Sequence, residues 1–263
     1  MDARDEAETV PLQRTVEGGG DSKHRPDRSL SSSPENDIFS ISTTLVPLAQ
    51  VKTAGMTSIN FDGLLSEPLL LHEDLREGCG GQLWPAGMVL SKYMLTYHKN
   101  GLSNRHILEI GAGGGLVGLA VARGCDLDSA KGKMLITDQE PMLTLMQRNI
   151  ALNKLSNKVE AIVYDWGTPP PVSQSEYPEI VLAADCVYFE PAFPLLLQTL
   201  TDLIGSDSIC YFCFKKRRKA DMRFIKDMRK KFEVAEIEYE DRHANQKEGI
   251  HLLRVTRKGP KIS

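Results

Sequence analysis

Continuous apolar runs alternate with amphipathic segments through the middle of the chain, and this pattern predicts an α/β fold. The apolar runs predict five strands, at residues 105–110, 133–138, 159–164, 179–185 and 208–214. The segments between and after them predict helices at 115–124, 139–153, 191–204 and 219–231. The segment Ile180–Ala184 is apolar at every position, which is typical of a parallel sheet that helices cover on both faces.

Shorter elements are predicted on either side of this alternation. Before it, Ile59–Phe61 and Leu69–Leu71 predict two short strands of an N-terminal β element. A helix is expected to open at Trp84-Pro85 and to run to about residue 97, with the proline in its first turn. After the alternation, residues 232–240 and 249–257 predict two strands joined by the polar loop 241–248. We expect these two strands to form an antiparallel hairpin at the edge of the sheet.

The N-terminal region, residues 1–36, differs in composition from the rest of the chain. It is polar and rich in glycine, serine, proline and charged residues. Such a segment has too few apolar side chains to build a core. We therefore expect residues 1–36 to be a disordered tail and residues 37–263 to be one folded domain with an N-terminal extension.

Composition and charge argue against several classes of protein. The chain has 263 residues, of which 41% are hydrophobic and 25% are charged, as in a globular protein with a sizeable core. A net charge of −3 gives no indication of a nucleic-acid or anionic-membrane partner. No apolar run is long enough to span a membrane, and the charged segment Met1–Glu6 lacks the apolar region of a secretory signal. We expect a cytoplasmic protein.

The five cysteines are consistent with a reducing compartment, because their number is odd and they are scattered through apolar segments. Cys210 and Cys213 have C-x-x-C spacing, but they fall within the predicted strand 208–214. Residues three apart in a strand point to opposite faces. We therefore expect buried thiols rather than a metal or redox pair, and we predict no metal site.

The most informative local pattern is Ile107–Gly115, where an apolar run leads into a glycine cluster and then into a helical segment. Glycines allow positive φ and a close approach of a ligand to the backbone, and the helix start offers free N–H groups. A nucleotide-like cofactor is predicted. The dinucleotide spacing G-x-G-x-x-G fails because residue 116 is leucine. S-adenosylmethionine (SAM), NAD and a purely structural turn stay open, with the acidic Glu109 favouring SAM.

An acidic residue ends each of four predicted strands, namely Glu109, Asp138, Asp165 and Asp185. The carboxyl ends of parallel strands form the edge at which ligands bind in such folds. There Asp138 can accept hydrogen bonds from ribose hydroxyls, and Asp165 can accept one from an adenine amine, with Trp166 offering its ring face. Glu109 can orient the glycine turn or meet the ammonium of the cofactor. Each acid could instead cap the following helix, but caps alone hardly explain four acids in sequential order on one rim.

This ordered set resembles the seven-β-strand SAM-dependent methyltransferases, specifically the family-16 protein-lysine methyltransferases. The resemblance covers about residues 56–257, and its matching pieces are Leu83–Gly87, Leu108–Gly115, Asp138, Asp165-Trp166 and the D-x-x-Y sequence Asp185–Tyr188. It implies a Rossmann-like sheet of seven strands in the order 3-2-1-4-5-7-6, with strand seven antiparallel. It also implies that SAM is the cofactor and that Trp84 lines its site. We expect further cofactor contacts from Gly111, Ala112, Gly113 and Ala184.

Residues 184–193 are similar to the same segment of the fungal enzymes that methylate a lysine of translation elongation factor 1A. The resemblance therefore implies a protein-lysine N-methyltransferase with that factor as its substrate. A lysine side chain is mostly charged at neutral pH, so the site must desolvate the amine or accept its proton. We expect Asp185 to orient the substrate ammonium and Tyr188 to shape the lysine channel, with ordinary packing as the alternative for Tyr188.

The basic run Lys215–Lys219 follows the fifth predicted strand and has two interpretations. It can face an acidic patch on a protein substrate, or it can be a solvated loop and helix start. We expect a monomer without direct nucleic-acid or membrane partners. Three rival functions stay open: a small-molecule methyltransferase with a closed, lidded pocket, a non-catalytic module that keeps SAM structurally, and an NAD-dependent dehydrogenase.

Overall fold

Seven strands form one mixed sheet in the computed structural model of the protein, which describes residues 55–74, 81–127, 133–173 and 177–259. These seven strands are β3 (Ile107–Ile110), β4 (Met134–Asp138), β5 (Val159–Val163), β6 (Ile180–Ala184), β7 (Ile209–Lys215), β8 (Phe232–Glu236) and β9 (Ile250–Arg257). Two further strands, β1 (Gly55–Ile59) and β2 (Leu69–Glu73), form a separate two-stranded sheet. The helices are α1 (Pro85–Tyr97), α2 (Leu116–Gly124), α3 (Glu140–Leu152), α4 (Phe193–Leu203), α5 (Lys219–Lys231) and α6 (Arg242–Lys247). The predicted disordered tail, residues 1–36, lies outside the described residues.

The order of strands across the sheet is β5-β4-β3-β6-β7-β9-β8. Counted within this sheet alone, the order is 3-2-1-4-5-7-6, as the family resemblance implied. Strand β3 is parallel to both of its neighbours, β4 and β6. Strand β9 is antiparallel to both β7 and β8. The predicted Rossmann-like sheet with an antiparallel last strand is therefore confirmed, and its central parallel strands direct their carboxyl ends to one edge.

Two hydrophobic cores, one on each face of the sheet, explain why the central strands are mostly apolar and why β6 is apolar at every position. Helices α1, α2 and α3 pack on one face, against side chains such as Leu182 and Cys213. Helices α4 and α5 pack on the other face, against neighbours such as Val181 and Cys210. The two cysteines therefore enter different cores, as predicted, and burial raises the pKa of both thiols. None of the helices in the described part of the chain has the length and apolar character that crossing a membrane requires.

The N-terminal strand pair β1–β2 differs slightly from the prediction. Strand β1 ends at Ile59 rather than at Phe61, because Phe61 and Asp62 take positive φ angles of 52° and 58° in the turn that follows. Strand β2 is attached to helix α3 rather than to the large sheet. This pair is therefore a separate two-stranded sheet, which lies beside α3 and the glycine-rich turn between β3 and α2.

Two asparagines, one in α3 and one at its C-cap, bind the edge of β2 that β1 does not occupy. Asn153 accepts a hydrogen bond from Leu70 N–H at 3.0 Å and donates to the Leu70 carbonyl at 2.6 Å. Asn149 accepts from His72 N–H at 2.8 Å and donates to the His72 carbonyl at 3.2 Å. Both asparagines are buried. Because a side-chain amide carries a donor and an acceptor, it can pair with a backbone in the way a strand does.

The polar loop predicted between the last two strands contains a short helix instead. Helix α6 occupies Arg242–Lys247, and strand β8 is shorter than the predicted 232–240. None of the α6 residues is buried. The helix therefore lacks the apolar stripe by which hydrophobic periodicity reveals a helix in a sequence. The predicted edge hairpin is retained, with α6 in its connection.

Candidate active site

A pocket of about 730 Å³ opens at the carboxyl ends of the central parallel strands. Its size is that of a site for a small molecule or cofactor, and its position is the one at which α/β sheets bind ligands. Every residue that the sequence singled out as a site residue lines it: Trp84, Glu109, Gly111, Ala112, Gly113, Asp138, Asp165, Trp166, Ala184, Asp185 and Tyr188. Across the residues that the structure describes, no group of three His, Cys, Asp or Glu side chains could hold a metal ion.

The glycine turn between β3 and α2 has a left-handed backbone at three positions. Gly111, Gly113 and Gly115 have φ angles of 61°, 56° and 88°. A Cβ atom on Gly111 would lie 2.9 Å from the Cys186 sulfur and 3.1 Å from Cζ2 of Trp166. Side chains normally do not approach so closely. Gly111 is thus required both for the turn and for the packing of the Trp166 ring against it.

Glu109 lies buried in β3 and holds the first turn of α2. Its Oε2 accepts a hydrogen bond from Gly118 N–H at 2.8 Å. Burial raises the pKa of Glu109 to about 8, opposed by that hydrogen bond and reinforced by the charge of Asp138. The carboxyl group thus fixes the helix that follows the glycine turn, and Glu109 also lines the pocket.

Asp138 ends β4 and connects that strand to the glycine turn. Its Oδ2 accepts a hydrogen bond from Gly113 N–H at 2.7 Å, and its Oδ1 accepts one from Gln139 N–H at 2.7 Å. Burial raises the pKa of Asp138. The N-cap residue of α3 is Gln139, so Asp138 stands one residue too early to be the helix cap that the sequence left open. Its carboxylate instead joins two of the walls of the pocket.

Asp165 and Trp166 follow β5 and form another wall. The Asp165 side chain is exposed. The backbone carbonyl of Asp165 accepts a hydrogen bond from the Thr168 hydroxyl at 2.7 Å, which closes a turn. The next residue, Gly167, donates its N–H to the Thr199 hydroxyl at 2.8 Å. These backbone contacts fix the segment independently of the Asp165 carboxylate, which lines the pocket.

The D-x-x-Y sequence begins with a strained and buried residue. Asp185 has a φ of 56°, and its side chain is only 3% exposed. Its two carboxylate oxygens accept hydrogen bonds from the Arg217 guanidinium at 2.8 and 2.9 Å, and Oδ1 also accepts from Lys215 N–H at 3.2 Å. The sequence-based role of orienting a substrate ammonium assumed an open carboxylate. The structure instead engages both oxygens with a cation of the chain itself, because a buried carboxylate needs such a partner.

Tyr188, at the other end of the same sequence, lies at the mouth of the pocket. Its side chain is 50% exposed, and those of Phe189 and Leu195 beside it are 56% and 49% exposed. The mouth is thus bordered by partly exposed apolar side chains.

Arg217 and Asn149 are among the residues of the site that sequence reasoning missed. Arg217 was assigned to a protein-facing or solvated run, yet it lines the pocket, with its guanidinium carbon 5.3 Å from the centroid of the Trp84 ring. Asn149 also lines the pocket, and it donates to the Gly114 carbonyl at 2.8 Å. Two signals in the sequence could have identified them. Arg217 stands just after a strand end, and Asn149 is a polar residue in the buried stripe of α3.

The sheet order, the glycine turn and the acidic strand ends together define a SAM-dependent methyltransferase. The structure is similar in fold to the 16S rRNA N2 G1207 methyltransferase RsmC of Thermus thermophilus, solved with AdoMet and guanosine, with a TM-score of 0.51 and 13% identity over 78% of this chain and 50% of that one. The model of a family described as lysine methyltransferase matches residues 64–231. The chain belongs to this lysine methyltransferase family and is a SAM-dependent protein-lysine methyltransferase.

Individual relatives agree with this assignment. The Saccharomyces cerevisiae protein-lysine N-methyltransferase EFM6 is 36% identical over 78% of this chain and 92% of its own length. The zebrafish (Danio rerio) protein N-lysine methyltransferase METTL21A is 30% identical over 74% of this chain and 85% of its own length. The Xenopus tropicalis EEF1A lysine methyltransferase 3 is 28% identical over 71% of this chain and 79% of its own length.

The pocket residues fit SAM on structural grounds. The glycine turn lines the pocket at Gly111, Gly113 and Gly114, which carry no side chain that could keep a ligand from the backbone. The pocket of about 730 Å³ combines apolar walls with a small number of carboxylates, which suits a ligand with ribose hydroxyls, an adenine and a cationic end.

Proposed function

We propose that this protein transfers a methyl group from SAM to the side-chain amine of a lysine in translation elongation factor 1A. The observation that carries the proposal is the mouth of the pocket, which the half-exposed side chains of Tyr188, Phe189 and Leu195 border without covering it. An open, apolar mouth admits a side chain presented by a macromolecule. The choice of elongation factor 1A is supported by the Xenopus relative, which is named EEF1A lysine methyltransferase 3, and by the resemblance of residues 184–193.

In the proposed site, the residues that would hold SAM come from the carboxyl ends of the strands. Asp138 would accept hydrogen bonds from the ribose hydroxyls, and Asp165 would accept one from the adenine amine beside the Trp166 ring. The backbone of Gly111–Gly113 and residues Trp84 and Ala184 would complete the contacts. SAM supplies an electrophilic methyl group on a sulfonium, so the chain itself needs no nucleophile.

The remaining task of the chain is to present a neutral amine in line with that methyl group. Removing an ammonium from water lowers its pKa, and the apolar mouth around Tyr188 and Phe189 supports such desolvation. The Tyr188 ring would also restrict the direction from which a lysine side chain enters. Holding the two reacting groups in near-attack geometry is worth several orders of magnitude in rate. Asp185 would contribute through Arg217 and the backbone of the D-x-x-Y segment rather than by contact with the amine.

The test is methyl transfer from radiolabelled SAM to purified, unmethylated elongation factor 1A. Wild-type protein should label the factor, and Asp138→Ala should label it much more slowly. Asp207→Ala is a matched control, because Asp207 is an exposed aspartate just before β7, at the amino ends of the parallel strands. Its activity should equal that of the wild type.

Three outcomes would contradict different parts of the proposal. Labelling of a different protein in a cell extract, but not of elongation factor 1A, would reject the substrate and keep the enzyme class. Labelling of a small amine with no protein labelled would favour the small-molecule methyltransferase. Equal activity of Asp138→Ala and wild type would reject the proposed cofactor contacts.

A further inference from the structure

The two arginines of the basic run are partly exposed, and both form hydrogen bonds with the D-x-x-Y segment. Arg217 forms the bidentate pair with Asp185, at the start of that segment. Arg218 donates to the Tyr188 carbonyl at 2.6 Å, at its end. The segment that forms one side of the pocket mouth is thus held at both ends by adjacent residues of the β7–α5 connection.

This connection is itself fixed by a buried carboxylate. Asp221, in the first turn of α5, is 0% exposed. Its Oδ2 accepts hydrogen bonds from the N–H groups of Arg217 and Arg218, both at 2.8 Å, and its Oδ1 pairs with the Arg218 guanidinium at 2.9 Å. A charge placed in this way fixes the two arginine backbones before their side chains reach the mouth. The first turn of α5 therefore fixes the two arginines that bind the D-x-x-Y segment.

Arg217 has a second contact that Arg218 lacks. Its guanidinium carbon lies 5.3 Å from the centroid of the Trp84 ring, at the start of α1. A bidentate carboxylate pair depends on the planar fork of the guanidinium, and the same flat, delocalised group can stack on an aromatic face. One side chain therefore joins Trp84, on the wall expected to hold the cofactor, to Asp185, on the segment that leads to the mouth.

We propose that Arg217 is a positioning residue for methyl transfer, which sets the D-x-x-Y segment relative to the Trp84 wall. It acts through Asp185 and Trp84 and needs no contact with the reacting atoms. The left-handed backbone of Asp185, with φ of 56°, is a conformation that surrounding contacts must maintain. Loss of the guanidinium would let this turn relax and would shift Tyr188 from the path of the amine. This inference rests on the proposed role of Tyr188 at the mouth.

The variants separate the charge of Arg217 from its shape. Arg217→Lys keeps the positive charge but loses the planar fork, whereas Arg217→Met keeps much of the apolar stem and loses the charge. We expect kcat for protein methylation to fall about tenfold in Arg217→Lys and about a hundredfold in Arg217→Met, with SAM affinity nearly unchanged. Arg105→Met is the control, because Arg105 also pairs with a carboxylate, Glu179 at 2.8 Å, but lies just before the amino end of β3.

A second readout does not depend on the identity of the substrate. In a Trp166→Phe background Trp84 is the remaining tryptophan of the chain, so its fluorescence reports on that ring alone. Arg217→Met should make Trp84 more accessible to quenching by acrylamide, because the guanidinium no longer covers it. Arg105→Met should leave the quenching as it is. This measurement stays informative even if elongation factor 1A proves not to be the substrate.

A double-mutant cycle distinguishes a loss of positioning from a loss of folding. Arg217→Met leaves a buried Asp185 carboxylate without its partner, and Asp185→Asn removes that charge. The double variant should regain stability relative to Arg217→Met while its kcat stays low, because the connection to Trp84 is still absent. Wild-type kcat in a folded Arg217→Met variant would overturn the proposal. So would a loss of activity that the double variant fully restores, or one matched by an equal loss of SAM affinity.

Discussion

The carboxyl group of Glu109 gives the molecule a pH dependence that the sequence alone would not suggest. An ordinary glutamate loses its proton near the reference pKa of 4.5, whereas burial raises the pKa of Glu109 to about 8 in the folded state. Between these values the folded state holds a proton that the unfolded state has lost. The free energy of unfolding therefore falls as pH rises through this window, by at most about 1.4 kcal/mol per pH unit for one group.

Glu109→Gln should remove this contribution. The amide oxygen can still accept the hydrogen bond from Gly118 N–H, but it does not titrate. Urea unfolding of the two proteins should show the variant gaining stability relative to the wild type between about pH 5 and about pH 8. Stability differences that stay constant across this range would mean that Glu109 is ionised in the folded protein at neutral pH.

Gly111 tests the close packing of the glycine turn. Gly111→Ala places a Cβ atom 2.9 Å from the Cys186 sulfur and 3.1 Å from Trp166, in addition to the unfavourable φ of 61°. Gly63→Ala is the matched control, because Gly63 has a φ of 87° and nothing within 4 Å of the added atom. Both should lose about 1–2 kcal/mol for the left-handed backbone, and Gly111→Ala should lose about 1–3 kcal/mol more from overpacking.

Only Gly111→Ala should also weaken SAM binding, because the displaced Trp166 ring lines the pocket. Chemical denaturation and titration calorimetry with SAM measure the two effects. Equal losses of stability in the two variants, with unchanged SAM affinity in both, would contradict the packing argument.

Asp138 tests the proposed contact with ribose. Asp138→Ala should weaken SAM binding by about 1–3 kcal/mol, because the hydroxyl groups and the Gly113 N–H lose their acceptor. Calorimetry with the Asp207→Ala control gives the comparison. If SAM bound Asp138→Ala as tightly as it binds the wild type, the carboxylate would serve only to join β4 to the glycine turn.

The positions of the acidic residues could be predicted where a residue type and a strand end coincide, whereas their roles stay predictions. Glu109, Asp138, Asp165 and Asp185 all stand where apolar runs end, and the sheet brings all of them to one pocket. The hydrogen-bond partner of a side chain cannot be predicted in the same way. The pairing of Asp185 with Arg217, 32 positions away, depends on how β6 and β7 lie side by side, and no local pattern encodes it.

At the scale of elements, the attachment of β2 to α3 links the N-terminal strand pair to the cofactor pocket. Asn149 and Asn153 both bind β2, but only Asn149 also donates to the Gly114 carbonyl of the glycine turn. Asn153 binds within the helix instead. This difference allows the effect of the strand pair on stability to be separated from its effect on the pocket.

Asn149→Ala and Asn153→Ala form a matched pair for this purpose. Each should lose about 1–3 kcal/mol of stability, because buried backbone groups of β2 lose their partners. Only Asn149→Ala should also lower SAM affinity, since only it releases Gly114. Differential scanning calorimetry and SAM titration test this expectation. Equal effects of the two substitutions on SAM affinity would show that β2 acts on the pocket as a whole and not through Asn149.

The elements that sequence could predict are those with a hydrophobic period. The parallel strands and helices α1 to α5 carry buried faces and lie close to their predicted positions. Helix α6 has no buried residue and was predicted as a loop. Strand β1 ended two residues before its predicted end, because the backbone turns at Phe61 and Asp62. The pattern of apolar residues therefore predicts the elements that pack in the core. Exposed elements and the ends of strands depend instead on local backbone geometry.

At the scale of the whole molecule, one sheet brings distant segments of the chain to a single edge. The order 3-2-1-4-5-7-6 followed from the family resemblance, because apolar runs identify strands but not their neighbours. That order places β3 between β4 and β6, so the glycine turn meets Asp138 on one side and the D-x-x-Y segment on the other. The chemistry of the pocket is a consequence of this arrangement.

The most direct test of the central claim is tandem mass spectrometry of elongation factor 1A after incubation with SAM and the full-length protein. Methylation of one lysine by the wild type, with little by Asp138→Ala, is the predicted result. Replacement of that lysine by arginine in the factor should abolish the modification. Unmodified elongation factor 1A, under conditions in which SAM binds the protein and the factor is folded, would contradict the proposed function.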